Sequence, residues 1–228
     1  MKKIFIVLVI LAAIPMVAQQ NLQRSMVTVT GEGEVKVEPD EVLIKSRIEH
    51  EGASATEVKK QNDEVVAKVI TYLKSQNIDS KDINTEYVNL NKNYDYNKKS
   101  HSYVANQAIS IKLRDLDNYE MIMKGLLENG LNRIDGIQFM SSEMDKHKKE
   151  ARKLAVLDAQ NRARELAQPL GQDIGKAVSI SEMDFNNFQP VYRMDAVVEM
   201  SSAKSGEQTI APGELEINIK VNVGFELN

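Results

Sequence analysis

The residues whose types and spacing could do chemistry are few: three histidines, one Ser-x-x-Lys pair, some same-face carboxylates and a cluster of tyrosines. His50, His101 and His147 are the only imidazoles. A zinc site wants further ligands at short fixed spacing, and none of the three has a histidine at i+4. Each therefore reads as an exposed or hydrogen-bonded side chain. Ser201-Ser-Ala-Lys204 has the spacing at which a lysine one helical turn on can deprotonate a nucleophilic serine. Its surroundings read as loop, and no Ser-Asp-Asn or Lys-Thr-Gly triplet follows, so a chance match is expected. Glu32 with Glu34, and Glu214 with Glu216, fall on common strand faces and could meet a hard cation such as calcium. No Asp-x-Asp-x-Asp-Gly loop gathers the further oxygens such a site uses. Gly31-Glu-Gly33 is a poor phosphate cradle, because no helix start follows and glutamate repels phosphate. Tyr87, Tyr94, Tyr96 and Tyr103 cluster around one loop. Tyrosine offers contact area with a polar tip, so the cluster reads either as a contact surface or as ordinary strand tyrosine. No catalytic residue, cofactor or metal is assigned.

Composition narrows the chemistry further. There is no cysteine in the 228 residues, which removes disulfides, thiolate nucleophiles and thiolate metal sites together. The formal net charge is −4 and no basic block stands out, so nucleic acid is not an expected partner.

The first residues carry Lys2 and Lys3, then an apolar run over 4–17 interrupted only by Pro15. Ala18 then precedes the polar Gln19, Gln20 and Asn21. That is the layout of a cleavable signal peptide over residues 1–18. The run falls short of the ~20 apolar residues of a comfortable span; an uncleaved anchor is the alternative. Met16 at the −3 position leaves the cut undefined. No later segment is apolar enough to span a membrane. Residues 19–228 are expected to form an exported domain, with two subdomains near 25–115 and 116–228.

The elements that must position these residues follow from periodicity. Val27, Val29, Gly31, Gly33, Val35 and Val37 alternate with polar residues, so a half-buried strand is expected there. Glycine on its apolar face indicates a bulge or the close approach of another element. A second strand carries Val42, Ile44 and Ile48. Ser54 and Glu57 form a capping box for a helix whose stripe is Val58, Val65, Val66, Val69, Ile70 and Leu73. Strands at 83–94 and 103–113 flank a polar hairpin loop. A helix follows with Tyr119, Ile122, Met123, Leu126 and Leu127 inward, stopped by Asn129-Gly130. Residues 134–140 form a fifth strand. A long helix over 145–170 is expected to bury Ala151, Leu154, Ala155, Ala159, Ala163, Leu166, Ala167 and Leu170, closely applied to a sheet. Gly171 stops it, and residues 174–183 form a sixth strand. Residues 185–213 are irregular, with Pro190, Pro212 and an apolar stretch at 190–200; long irregular connections are often functional. The alternation from Leu215 to Leu227 is the clearest in the chain. It should pair centrally, because so long a free edge invites aggregation. The fold class is α+β: antiparallel sheets with helices on one face, two intimate halves, order β-β-α-β-β-α-β-α-β-β.

These residues resemble the SIMPL-domain family. The likeness is carried by Val27-Thr-Val-Thr-Gly-Glu-Gly-Glu-Val35 with Val37-Glu-Pro-Asp-Glu-Val42, and by Tyr103-x-Ala-x-Gln107 running to Leu113-Arg-Asp115. Ala151-Arg-Lys-Leu-Ala155, Asp158-Ala, Arg162-Ala-Arg-Glu-Leu-Ala167 and Leu170-Gly171 add to it, as does Ile210-x-Pro-Gly-x-Leu-Glu-Ile217. The resemblance implies an α+β fold, a periplasmic or outer-membrane-associated place, ring-like self-association in some members, and a link to oxidative-stress defence. It carries no catalytic residue. Without cysteine the chain has no reversible thiol chemistry, so a stress role would be indirect. The expected function is therefore binding or self-assembly in the envelope, with an envelope protein as a further partner. The alternatives are an enzyme or ligand-binding site between the two halves, and a calcium-stabilised adhesion-like module.

Overall fold

Strand alternation and helical spacing fix where each element begins, and the computed structural model follows them closely. It describes residues 25–97, 99–183 and 210–228. The leader expected over 1–18, the serine–lysine spacing at 201–204 and the apolar stretch at 190–200 lie outside the described residues. The elements are β1 (Met26–Val37), β2 (Glu41–Gly52), α1 (Ala55–Ser75), β3 (Ile83–Asp95), β4 (Ser100–Leu113), α2 (Tyr119–Glu128), β5 (Arg133–Met140), α3 (Met144–Ala167), β6 (Ile174–Met183) and β7 (Leu215–Leu227). Their order is the expected one, and every strand pair is antiparallel.

Among the described residues two sheets form, ordered β1-β7-β6 and β3-β4-β2-β5. The alternating strand β7 does lie centrally, between β1 and β6. β5 joins the strands before it, while β1 crosses to the sheet built from the C-terminal part. The four-stranded unit of residues 41–140 is thus nested between β1 and α3. Asp40 ties the joint: its carboxylate accepts from the Ser142 backbone N–H at 2.7 Å and from the Ser142 hydroxyl. Those bonds, the hydroxyl's first, hold the Asp40 carboxyl below its usual value.

Local chemistry sets the helix ends. Ser54 Oγ accepts from the Glu57 N–H at 3.4 Å and starts α1. Gly130, at φ 100°, closes α2. Leu131 N–H reaches the Leu126 carbonyl there, and Gly130 N–H reaches Leu127. Leu127, expected inward, is instead 54% exposed.

Each sheet buries one face. α1 and α2 cover the four-stranded sheet through Val42, Ile44, Ile48, Val69, Leu73, Ile109, Ile111, Ile122 and Leu126. Each such aliphatic side chain contributes about 1.5–3 kcal/mol on burial. α3 covers the three-stranded sheet differently. Ala151, Ala155, Ala159, Ala163 and Ala167 recur every fourth residue and are buried, the first four against β1 and β7. The expected wider apolar face is corrected here: Leu154, Leu166 and Leu170 are exposed by 39%, 56% and 75%. Only the alanine ridge fits, because the helix sits too close to β1 for a longer side chain. The two cores meet at Val37, Met144 and Leu215.

Candidate interaction surface

The structure scatters the residues that could do chemistry. His50, on β2, lies beside Asn62 of α1, its Nδ1 3.4 Å from the amide nitrogen. His101 sits at the start of β4, and His147 in the first turn of α3. Glu32 pairs across the sheet with Lys220 at 2.7 Å, and Glu34 with Lys36 at 3.1 Å. Glu216 lies opposite Lys36 of β1. Among the described residues no three His, Asp or Glu side chains gather closely enough to hold a metal ion.

One charged cluster joins elements far apart in the chain. Arg114, at the end of β4, makes a two-pronged contact with Asp82, both bonds 2.8 Å, and reaches Glu41 at 3.2 Å. Lys112 completes it, 2.6 Å from the other Glu41 oxygen. Glu41 and Asp82 are buried while the cations stay partly wet. The Arg114 bonds hold the Asp82 carboxyl below its ordinary value, and Asp82 in turn raises the guanidinium. All four groups are paired, so the cluster is a brace between β2, β4 and the turn after α1. Beside it runs an open groove of about 450 Å³, lined by Gln76, Asn77, Asp79, Arg114, Asp115, Asn118 and Met121. It lies at the ends of α1 and β4 and the start of α2. Sequence reasoning did not single out this cluster. Its partners stand up to 73 positions apart, and only the strand order brings them together.

The tyrosines are brought together. β3 and β4 form a hairpin that outruns β2: the pairing of β2 stops at Gly52 opposite Tyr103, while β3 and β4 continue to Asp95 opposite Ser100. Tyr94 meets Tyr96 edge-on at 5.0 Å and His101 at 4.9 Å. Lys92 Nζ stands 6.0 Å from the centre of the Tyr103 ring. Tyr96 is 85% exposed. Tyr87 points to the other face, opposite Ala108, so three of the four tyrosines form the tip cluster.

Behind the tip, β3 is exposed from Asn84 to Tyr94. Val88, Leu90 and Tyr94 face the α1 side of the sheet, opposite Gln107, Ala105 and His101. α1 covers β2 and β4 but scarcely reaches β3, which leaves these side chains wet. Large apolar side chains on the last strand of a sheet, with an unpaired backbone edge beside them, form a surface that can bind. This is the arrangement of the described residues best suited to a partner.

The chain is similar to known proteins along nearly its whole length. The SIMPL family model, described as a protein of unknown function, matches residues 27–225. The 26 kDa periplasmic immunogenic protein of Brucella melitensis is 27% identical over 227 residues, covering 94% of this chain and 91% of that protein. The uncharacterized protein YggE of Escherichia coli K12 is 27% identical over 204 residues, covering 88% and 82%. YggE of Edwardsiella ictaluri is 28% identical over 208 residues, covering 89% and 87%. A family match over almost all of the described fold places this chain: it belongs to the SIMPL family.

Proposed function

We propose that this protein works in the periplasm as a non-catalytic binding protein that associates with copies of itself. The observation that carries the reading is the β3 edge: a long terminal strand that keeps Val88, Leu90 and Tyr94 in water. Exposure of that kind costs solubility, and it is retained where a partner covers it. The periplasmic placement is supported by the leader pattern over 1–18 and by the relative named as periplasmic in Brucella. No helix among the described residues is long and apolar enough to cross a membrane. With no cysteine, any contribution to oxidative or envelope stress runs through assembly or an envelope protein partner rather than thiol chemistry.

Two measurements test this. Osmotic shock should release the protein with the periplasmic fraction. Size-exclusion chromatography with light scattering should give a mass above one chain at micromolar concentration. A strict monomer at every concentration removes the self-association.

A further inference from the structure

We propose that β3 is where two copies of this chain join, edge to edge and antiparallel, about a two-fold axis at Asn91. This rests on the binding reading above and narrows it to one surface and one partner.

Among the described residues the two sheets have four outer edges, and three carry a blocking device. On β1, the Glu32 N–H that would greet a new strand donates instead to Asp158 of α3 at 2.8 Å. On β6, pairing with β7 shifts register twice between Ile174 and Ser179, which breaks a regular edge. On β5, only eight residues long, an irregularity falls opposite Lys45 and Ser46, and Asp135 there is tied to Arg47 at 2.8 Å. β3 has its own shift between Thr85 and Tyr87. Beyond that point, residues 87–95 pair with β4 one for one and contain no proline. Among the described residues no backbone group meets the outer edge of residues 87–94.

The sequence of the stretch complements itself. Val88-Asn-Leu-Asn-Lys-Asn-Tyr94 alternates strictly. Asn89, Asn91 and Asn93 lie opposite Asn106, Val104 and Ser102, on the face away from α1; Leu90, Lys92 and Tyr94 lie on the α1 face. An antiparallel pairing about Asn91 sets Asn91 on its own copy and Asn89 on Asn93. It also sets Leu90 on Lys92 and Val88 on Tyr94. Amide meets amide on one face, and the apolar stem of lysine meets leucine on the other. The pairing is isologous, as a two-fold interface requires, and it uses all of residues 87–95. Centring on Lys92 would stack lysine on lysine. Centring on Leu90 would place Val88 against Lys92 and shorten the match. The product is one eight-stranded sheet with the helices of both copies on the same side.

The absence of cysteine makes the test direct, because an introduced thiol can pair only with its own copy. Directly opposed strand residues stand about 4.5–5.5 Å apart between Cα atoms, within disulfide reach. Asn91→Cys in the mature chain, under mild oxidation, should form a covalent dimer on a non-reducing gel. Asn89→Cys alone stands about 13 Å from its copy, four residues along the strand, and should stay single. So should Asn93→Cys, while a mixture of the two should cross-link. On the order of tenfold more dimer is expected for Asn91→Cys than for either neighbour alone, given the distance limit of the bond. Leu90→Lys, at a position already 45% exposed, should keep its melting temperature and shift the light-scattering mass towards one chain.

If the unmodified protein is oligomeric but Leu90→Lys keeps its mass, or if all three cysteine variants cross-link equally, the β3 pairing is overturned and the binding reading stands. If the unmodified protein is a strict monomer, both the pairing and the self-association are overturned. Capture of a foreign extended peptide along β3 by that monomer would replace the second copy as the partner.

Discussion

A Cβ built on Gly31 would stand 2.7 Å from the Cβ of Ala159, so β1 and α3 touch almost backbone to backbone. Carbon atoms in good contact lie about 3.5–4.0 Å apart, and nothing at Gly31 has the freedom to move aside. Gly33 repeats the arrangement one step along, under Ala151 and Ala155. Gly31→Ala should therefore force the helix off the strand and cost about 3 kcal/mol, the upper range for overpacking. Thr30→Ala, on the opposite face, should stay within about 0.5 kcal/mol. Urea unfolding of both variants measures the contrast; equal small losses would show that the helix can retreat freely.

The close approach was half legible in the sequence. Glycines on the apolar face of a strand, and alanines through a long helix, each signal a neighbour that comes near. What the spacing could not say is how narrow the contact would be. An apolar stripe built from alanine and leucine looks like one wide face, whereas Gly31 and Gly33 admit only the alanine ridge. Strand order was not legible either. Alternation reports which face of a strand is wet but not which edge is free, so β3 reads as an ordinary half-buried strand until β4 and α1 are seen to leave it uncovered. The Asp82–Arg114 brace was invisible for the same reason: its members meet only through the register of β4 with β3 and, for Glu41, with β2.

The exposed leucines of α3 test that correction. Leu166, on the same helix as the ridge, is 56% exposed, whereas Ala163 three positions earlier is fully buried. Leu166→Gln should leave stability within about 0.5 kcal/mol. Ala163→Leu should cost about 3 kcal/mol through overpacking. Thermal melts of the pair report the outcome. A large loss for Leu166→Gln would mean that the leucine is covered in solution, and light scattering on that variant would then show whether a second copy covers it.

Asp82 gives the fold an acid-sensitive brace. Its carboxyl is held below its ordinary value mainly by the two Arg114 N–H bonds. A depressed value in the fold means the stabilisation is complete above the unfolded value of about 3.9 and is lost as pH falls through the lower folded value. Asp82→Asn should cost about 2 kcal/mol at pH 7, less than the loss of a fully buried pair because Arg114 is half in water. The same variant should show a shallower further loss on acidification below pH 4 than the unmodified chain does. Denaturant curves at pH 7 and pH 3 measure both. Parallel curves would assign the acid sensitivity elsewhere, with Asp40 the next group of the same sign.

Asn62 connects helix packing to the β3–β4 hairpin. It is buried on α1, and its amide donates to the Ile48 carbonyl of β2 at 2.8 Å and to the Ala105 carbonyl of β4 at 3.3 Å. One side chain thus bolts the helix to both strands just before β4 leaves β2 and runs out to the tyrosine tip. Asn62→Ala removes these donors and opens a small space, and about 2 kcal/mol should be lost. The loss should be local in its first effect: amide exchange in β4 near Ala105 should quicken more than exchange near Ile111, which the apolar core holds independently. Because β3 hangs on β4, a loosened β4 should also weaken the proposed self-association at temperatures where the chain is still folded. Light scattering at fixed concentration, read beside exchange rates, separates the two effects. Quickened exchange with unchanged mass would place the self-association surface away from this hairpin.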